Sequence, residues 1–363
     1  MIWIACIIIV FTTIQFLISL INLLFIEKPR PGKVNRKPLV SVLIPARNEE
    51  ENISKLLKNL QNQSYNNIEV IVFDDLSEDN TADKVLDYAR KDKRIRLIRS
   101  SGLPEGWLGK NYACHSLSIL ARGEWFLFLD ADVEISGNII ENVLSFAEQK
   151  NLELVSIFPK QDMVTKGEKA TVPVMNYILL SLLPLILVRK TSFPSLAAAN
   201  GQFMFFNADT YKKVRPHKKL KDNKVEDIET ARMYKRMGYR IACLTGDETI
   251  RCRMYPGFFE AVNGFAKNVA CFFGNSLILA VIFWLVTTVG FIPVFVYFPG
   301  PVFAIYIFMY LLTVIFVSAV SRQNILENIL YLIPRQLSLG LIIYMAFHNR
   351  LFRNYKWKGR SIK

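Results

Sequence analysis

Histidine is nearly missing from this 363-residue chain, and cysteine pairs are missing altogether. The three histidines (His115, His217, His348) have no metal-ligand spacing. The five cysteines (Cys6, Cys114, Cys243, Cys252, Cys271) are scattered, odd in number and without a CxxC pair. A zinc framework and a disulfide scaffold are thereby excluded, and the cysteines read as free thiols of a reduced compartment. No nucleophile elbow, internal repeat or low-complexity tract occurs. Acidic residues are outnumbered, 31 against 45 Lys and Arg, for a net charge of +14. No zinc-finger spacing or basic-aromatic ribonucleoprotein motif accompanies this excess, so nucleic acid is not expected as a partner. Beside long apolar runs, anionic lipid headgroups are the better counterpart. Hydrophobic residues make up 52% of the chain, too many for an ordinary soluble protein and too few for one lying wholly in lipid.

Charge is absent from residues 1–26, a run long enough to span a bilayer core. It has no basic start and no small-residue cleavage site, so it reads as a retained anchor rather than a signal peptide. Lys28, Arg30, Lys33, Arg36 and Lys37 follow, and the positive-inside rule places that flank and the next domain in the cytoplasm. Residues 38–265 have a globular α/β texture. Strands are expected at 39–45, 68–75, 95–100 and 125–132, with helices at 49–60 and 81–91. Alternation of this kind implies a mainly parallel, Rossmann-like sheet with ligands at the carboxyl ends of its strands. The uncharged stretch 172–188 holds Pro173 and Pro184 and is expected in the membrane interface or in the protein. No charge occurs between Lys267 and Arg322. That stretch suits two spans, near 276–297 and 302–320, within a C-terminal membrane region 272–348. Its last part, 325–348, contains Glu327 and Arg335 and fits a surface-lying helix. The basic tail 349–363 favours a cytoplasmic end, giving a multi-pass protein of the cell membrane.

Three motifs follow apolar strands. Asp130-Ala131-Asp132 ends the fourth, where carboxylates two residues apart share a strand face and can meet one hard cation such as Mg²⁺ or Mn²⁺; an exposed turn also accommodates such a pair. Pro45-Ala46-Arg47-Asn48-Glu49-Glu50 stands where the first strand gives way to a helix, offering backbone N–H groups to a nucleotide, or simply an acidic first turn. Asp74-Asp75-Leu76-Ser77-Glu78-Asp79-Asn80-Thr81 follows the second strand and suits either a ribose or base contact or a capped loop.

Together these motifs resemble the GT-A fold of family 2 glycosyltransferases over about residues 38–260. The resemblance implies a nucleotide pocket lined by Pro45, Arg47, Glu49, Asp74 and Asp75, with the metal and diphosphate at Asp130 and Asp132. Val225-Glu226-Asp227 resembles the family's ED motif, which makes Asp227 the base that deprotonates the acceptor during an inverting attack. Ala199-Asn200-Gly201-Gln202 matches the family's loop near the acceptor, so that Gly201, Gln202 and also Trp107 fall on the acceptor side. The segment 102–114 and the block from Arg251 to Asn268 resemble bacterial glycosyltransferases that modify carotenoids or are associated with hopanoids. That resemblance implies diphosphate contacts for Lys110 and for Arg251 or Arg253. The QxxRW motif of processive synthases is absent, which favours transfer of a single sugar. The implied reaction takes a UDP-sugar, with glucose the expected sugar, to a lipid acceptor such as a carotenoid acid or another isoprenoid. Diacylglycerol or polyprenyl phosphate is the alternative acceptor. A nucleotide-binding membrane scaffold without catalysis is the alternative of a different class.

Overall fold

The computed structural model describes residues 2–30, 32, 36–352, 355–357 and 360–362. Lys33, and Arg353, Lys358 and Lys363 of the basic tail, lie outside the described residues. The chain forms two compact units, one of Met1–Ile26, Gln161–Pro184 and Arg253–Lys363, the other of Glu27–Lys160 and Leu185–Cys252.

The second unit is built on a seven-stranded sheet. Its strands are β1 (Val40–Ala46), β2 (Ile68–Asp74), β3 (Ile95–Arg99), β4 (Trp125–Leu129), β6 (Leu154–Phe158), β7 (Phe203–Asn207) and β8 (Ile241–Thr245). β5 (Val133–Ile135) stands apart and pairs antiparallel with β9 (Ile250–Cys252). The sheet order is β3-β2-β1-β4-β7-β6-β8. The β1–β2, β2–β3, β1–β4 and β6–β8 pairs are parallel, and β7 runs antiparallel to both of its neighbours. The sheet is thus mainly parallel, with one reversed strand in its middle. β1 and β4 are almost wholly buried, as the apolar sequence of β4 and that of β1, broken only by Ser41, require. The exception in β2 is Glu69, 4% exposed, whose carboxylate accepts bonds from Ser41 Oγ (2.7 Å), the Arg122 amide (2.7 Å) and Arg96 (3.1 Å). Such bonds are what a buried charge requires.

The expected strand 125–132 stops at Leu129, so Asp130 and Asp132 lie in the turn beyond it rather than on a strand face. The helix expected from Glu49 begins at Ile53, because residues 49–52 form a separate turn.

Among the described residues the other unit contains two helices long and apolar enough to cross a membrane, Ile2–Leu24 and Gly300–Val320, or three spans if the bent pair Leu277–Val289 and Phe291–Tyr297 counts as one. The run 172–188 is not one helix: it breaks between Pro173–Leu182 and Leu185–Lys190, where Pro184 cannot donate a helical hydrogen bond. Within the membrane-type unit, Pro173–Leu182 is tied to the N-terminal helix. Gln15 Nε2 donates to Ser181 Oγ at 3.0 Å, and Asn22 Nδ2 donates to the Leu180 carbonyl at 2.8 Å. Arg335, expected on a surface helix, is only 3% exposed because Tyr177 and its neighbours cover it.

Candidate active site

β1, β2 and β4 are parallel neighbours, so the residues that follow them gather at one edge of the sheet. The first two loops hold each other. The Asp75 amide donates to the Ala46 carbonyl (2.9 Å), the Glu78 amide to Asn48 Oδ1 (2.9 Å) and the Glu49 amide to Thr81 Oγ1 (2.8 Å). Asn48 (φ 52°) and Leu76 (φ 56°) both adopt the left-handed conformation, an uncommon state for non-glycine residues and especially for leucine. Arg47 is 7% exposed, and its Nη1 donates to the carbonyls of Asp75 (2.7 Å) and Leu76 (2.8 Å). This arginine therefore bridges the two loops and fixes the strained Leu76. Burial opposes ionisation of Asp79, but bonds from Thr81 and the Glu50 amide outweigh it and hold its carboxyl below the usual range. Asp74 ends the second strand and Asp75 follows it, at 6% and 3% exposure, and Asp74 Oδ1 accepts the Ser77 amide.

The third loop meets residues from two distant segments. Lys110, in the first turn of the helix Gly109–Leu120, places its ammonium 2.7 Å from Asp130 and 3.7 Å from Glu226, and donates to the Gly201 carbonyl at 3.3 Å. Burial works against the charge on Lys110, yet Asp130 and Glu226 prevail and hold the ammonium well above the ordinary lysine range. Asp227 sits beside it at the start of the helix Glu226–Arg236. Its carboxylate accepts the Gly201 amide (3.0 Å) and the Ile228 amide (2.8 Å). Burial raises the carboxyls of both Glu226 and Asp227, Glu226 to about 7, and Lys110 partly offsets the rise. The result is three carboxyls around one ammonium, with Gly201 at the centre. A Cβ on Gly201 would lie 3.1 Å from Lys110 Nζ and 3.3 Å from Glu226 Oε1.

Asp132 is linked to the same loop through Cys252. Gln202 Nε2 lies 2.9 Å from Cys252 Sγ, and burial, then the Asp132 charge, push the Cys252 thiol far above its ordinary value. The Gln202 carbonyl accepts the Asp130 amide at 3.1 Å. Asn111 fastens the other side, donating to the carbonyls of Leu220 (2.7 Å) and Asn223 (3.0 Å) ahead of the Glu226 helix. Trp107 stacks on His115, with ring centroids 5.3 Å apart.

Of the residues singled out from sequence, the structure brings together Lys110, Asp130, Gly201 and Asp227, with Gln202 and Asp132 adjoining. Arg251 lies on β9 and pairs with Glu248 at 3.7 Å. Arg253 belongs to the other unit, where it bonds Glu168 at 2.8 Å. Sequence reasoning gave no role to Glu226, Asn111 or Cys252. The first two adjoin residues already singled out, Asp227 and Lys110, but nothing in the sequence signals the Cys252 contact.

The pair Asp130 and Asp132 suits a hard cation. Among the described residues no group of three His, Cys, Asp or Glu is arranged to hold a metal by itself. Mg²⁺-type sites commonly use one or two protein carboxylates and take their remaining ligands from substrate phosphates and water, which matches this donor set.

The glycosyl transferase family 2 model matches residues 41–240, more than half of the chain. The chain belongs to glycosyl transferase family 2. This family-2 chain is 28% identical over 276 residues to the 4,4'-diaponeurosporenoate glycosyltransferase of Staphylococcus haemolyticus, covering 73% of this chain and 70% of that protein. It is 31% identical over 140 residues to a beta-monoglucosyldiacylglycerol synthase of Nostoc sp., covering 37% of this chain and 30% of that protein. Among solved structures, the mannosyltransferase PcManGT of Pyrobaculum calidifontis, in complex with GDP-Man and Mn²⁺, aligns over 96% of this chain and 99% of its own. The TM-score is 0.55 at 17% identity, a likeness of fold. The α/β unit is therefore a GT-A-like domain.

Proposed function

We propose that the chain is a metal-dependent, inverting glycosyltransferase that moves one sugar, glucose by expectation, from a UDP-sugar to an isoprenoid or carotenoid-type lipid at the membrane. The observation that carries this reading is the convergence of Lys110, Asp130, Glu226 and Asp227 at the edge where the loops after β1, β2 and β4 gather. In this reading Pro45, Glu49, Asp74 and Asp75 line the nucleotide pocket, and Arg47 shapes it by pinning the second loop. Asp130 and Asp132 would hold Mg²⁺ or Mn²⁺, which when bound supplies positive charge to the donor diphosphate.

The chain's own groups supply the rest of the chemistry. Asp227 takes the proton from the acceptor hydroxyl as that oxygen bonds to the anomeric carbon. The bond from that carbon to the diphosphate oxygen breaks on the opposite face, and the nucleoside diphosphate leaves with the electron pair. The Gly201 and Ile228 amides aim the Asp227 carboxylate, and burial raises its affinity for the proton. Lys110 exchanges part of its contact with Asp130 for the diphosphate and acts there as a point charge. Gly201, Gln202 and Trp107 face the acceptor.

Lipid as acceptor is supported by the apolar helices Ile2–Leu24 and Gly300–Val320 and by the diaponeurosporenoate for which the staphylococcal relative is named. Residues 1–26 then anchor the chain, and the 38–265 domain faces the cytoplasm behind the basic flank Lys28, Arg30, Arg36 and Lys37. The C-terminal region adds two spans and an interfacial helix. The partial match to a glucosyldiacylglycerol synthase supports diacylglycerol as the alternative acceptor. Comparison of lipid extracts from cells with and without the gene by mass spectrometry tests the reading. A hexosylated lipid found only with the gene is expected; identical lipid profiles alongside a missing soluble glycan would refute it.

A further inference from the structure

Arg335 is 3% exposed, yet its Nε and Nη2 have no hydrogen-bond partner. Its guanidinium carbon lies 4.9 Å from the ring centre of Tyr177, in the same unit. A cation–π contact is worth about 0.5–2 kcal/mol, whereas burying an ion costs several kcal/mol, so the contact alone does not balance the charge. The acids of this unit do not balance it either. Its segments carry twelve Lys and Arg against four Asp and Glu, and of those four Glu168 is bonded to Arg253 and Glu327 to Lys169.

Arg335 lies in the first turn of the 21-residue helix Leu332–Phe352, where no acid stands, and its own amide is bonded to the Tyr331 carbonyl at 2.8 Å. The helix is held firmly. Trp284 Nε1 donates to the Gln336 carbonyl at 2.9 Å, and a Cβ on Gly340 would lie 2.8 Å from the Trp284 ring. The Tyr177 hydroxyl, beside Gln15, is also buried without a bond of normal geometry. Leu326 and Leu330, four apart on the helix Ile325–Leu330, and Ile333 and Leu337, four apart on Leu332–Phe352, are each more than 60% exposed. An outward face of that kind belongs against lipid, so an anion that reaches Arg335 is one that a lipid carries.

We propose that Arg335 and Tyr177 form a site for the oxyanion, carboxylate or phosphate, of a membrane amphiphile. Its residues belong to one unit and Asp130 and Asp227 to the other, and the proposal does not depend on the transferase reaction. Hydrogen bonds to a charged group contribute about 1.5–3 kcal/mol, equivalent to roughly 10–100-fold in affinity.

The test uses the full chain in phosphatidylcholine nanodiscs, with oleate, oleyl alcohol, dioleoyl phosphatidylglycerol and inorganic phosphate as probes. Wild type is expected to bind oleate or phosphatidylglycerol at least 10-fold more tightly than oleyl alcohol. Arg335→Gln should abolish that preference and Arg335→Lys should keep part of it. Preference for phosphatidylglycerol over oleate assigns a phospholipid headgroup, and the opposite order assigns an acidic chain. Equal binding of acid and alcohol by wild type, or an undiminished preference in Arg335→Gln, would overturn the proposal, as would inorganic phosphate binding as tightly as either lipid. If Arg335→Gln does not fold, the wild-type comparison of acid with alcohol decides alone.

Discussion

Lys110→Met removes the one ammonium shared by the three carboxyls and keeps the length of the side chain. Its contact with Asp130 at 2.7 Å corresponds to about 1.5 kcal/mol in bulk water and about 6 kcal/mol at an effective dielectric constant of 20. Both side chains are about a quarter exposed, and the attraction is partly cancelled by the cost of desolvating the ion, so the lower part of that range applies to stability. A fall in stability of about 1–3 kcal/mol is expected, visible as a lower Tm in detergent. The larger effect is on the donor. A charge aimed at a phosphoryl leaving group contributes roughly 10²–10³-fold, so kcat/KM should fall by that factor and UDP affinity with it. Lys110→Arg should recover part of both, because it keeps the charge but not the compact head. UDP binding by calorimetry and turnover with labelled donor, run on the same preparations, decide the matter. A lowered Tm with unchanged UDP affinity and turnover would show that Lys110 only holds Asp130 and Glu226 in place.

Asp227→Asn should lose roughly 10²–10⁴-fold with an alcohol acceptor and far less with a carboxylate acceptor, which is already ionised at neutral pH; equal losses with both would point to positioning. Because burial raises the Asp227 carboxyl above the usual aspartate range, the wild-type rate on an alcohol acceptor should fall on acidification at a higher pH than an ordinary aspartate base would give, as a pH–rate profile would show. Chelation should abolish turnover and Mg²⁺ or Mn²⁺ restore it, with Asp132→Asn folded but nearly inactive; full activity in excess EDTA would refute the metal assignment. Gly201→Ala keeps an ordinary backbone but crowds Lys110 and Glu226 to 3.1 and 3.3 Å, so turnover should fall roughly 10-fold with Tm almost unchanged.

The strands that carry the motifs were legible because their apolar runs are local. LVSVLIP, IEVIVFDD and WFLFLDAD each announce a buried strand and deliver polar residues at its end. The reversed strand Phe203–Asn207 was not legible: its partners Trp125–Leu129 and Leu154–Phe158 are distant in sequence, and nothing in FMFFN encodes direction. Asp227 and Lys110 could be named from their motifs, but not the contact between Lys110 and Glu226, which joins residues more than a hundred positions apart. Arg47 read as a ligand residue, whereas the left-handed turn at Leu76 presents two carbonyls to it. Arg335 read as a polar interruption that keeps a helix at the surface. Its burial depends on Tyr177, which lies in a separate segment.

Donation of a sugar from a nucleotide to a lipid at the Asp130–Asp227 edge can be read in a single competition assay. The purified chain is incubated with UDP-[¹⁴C]glucose, Mn²⁺, a lipid extract and a soluble oligosaccharide together, and butanol–water partition then separates the products. Label is expected in the lipid phase, absent from Asp227→Asn with an alcohol acceptor and from Asp132→Asn with any acceptor. Label confined to the oligosaccharide in the aqueous phase, with none in lipid, would contradict transfer to a lipid.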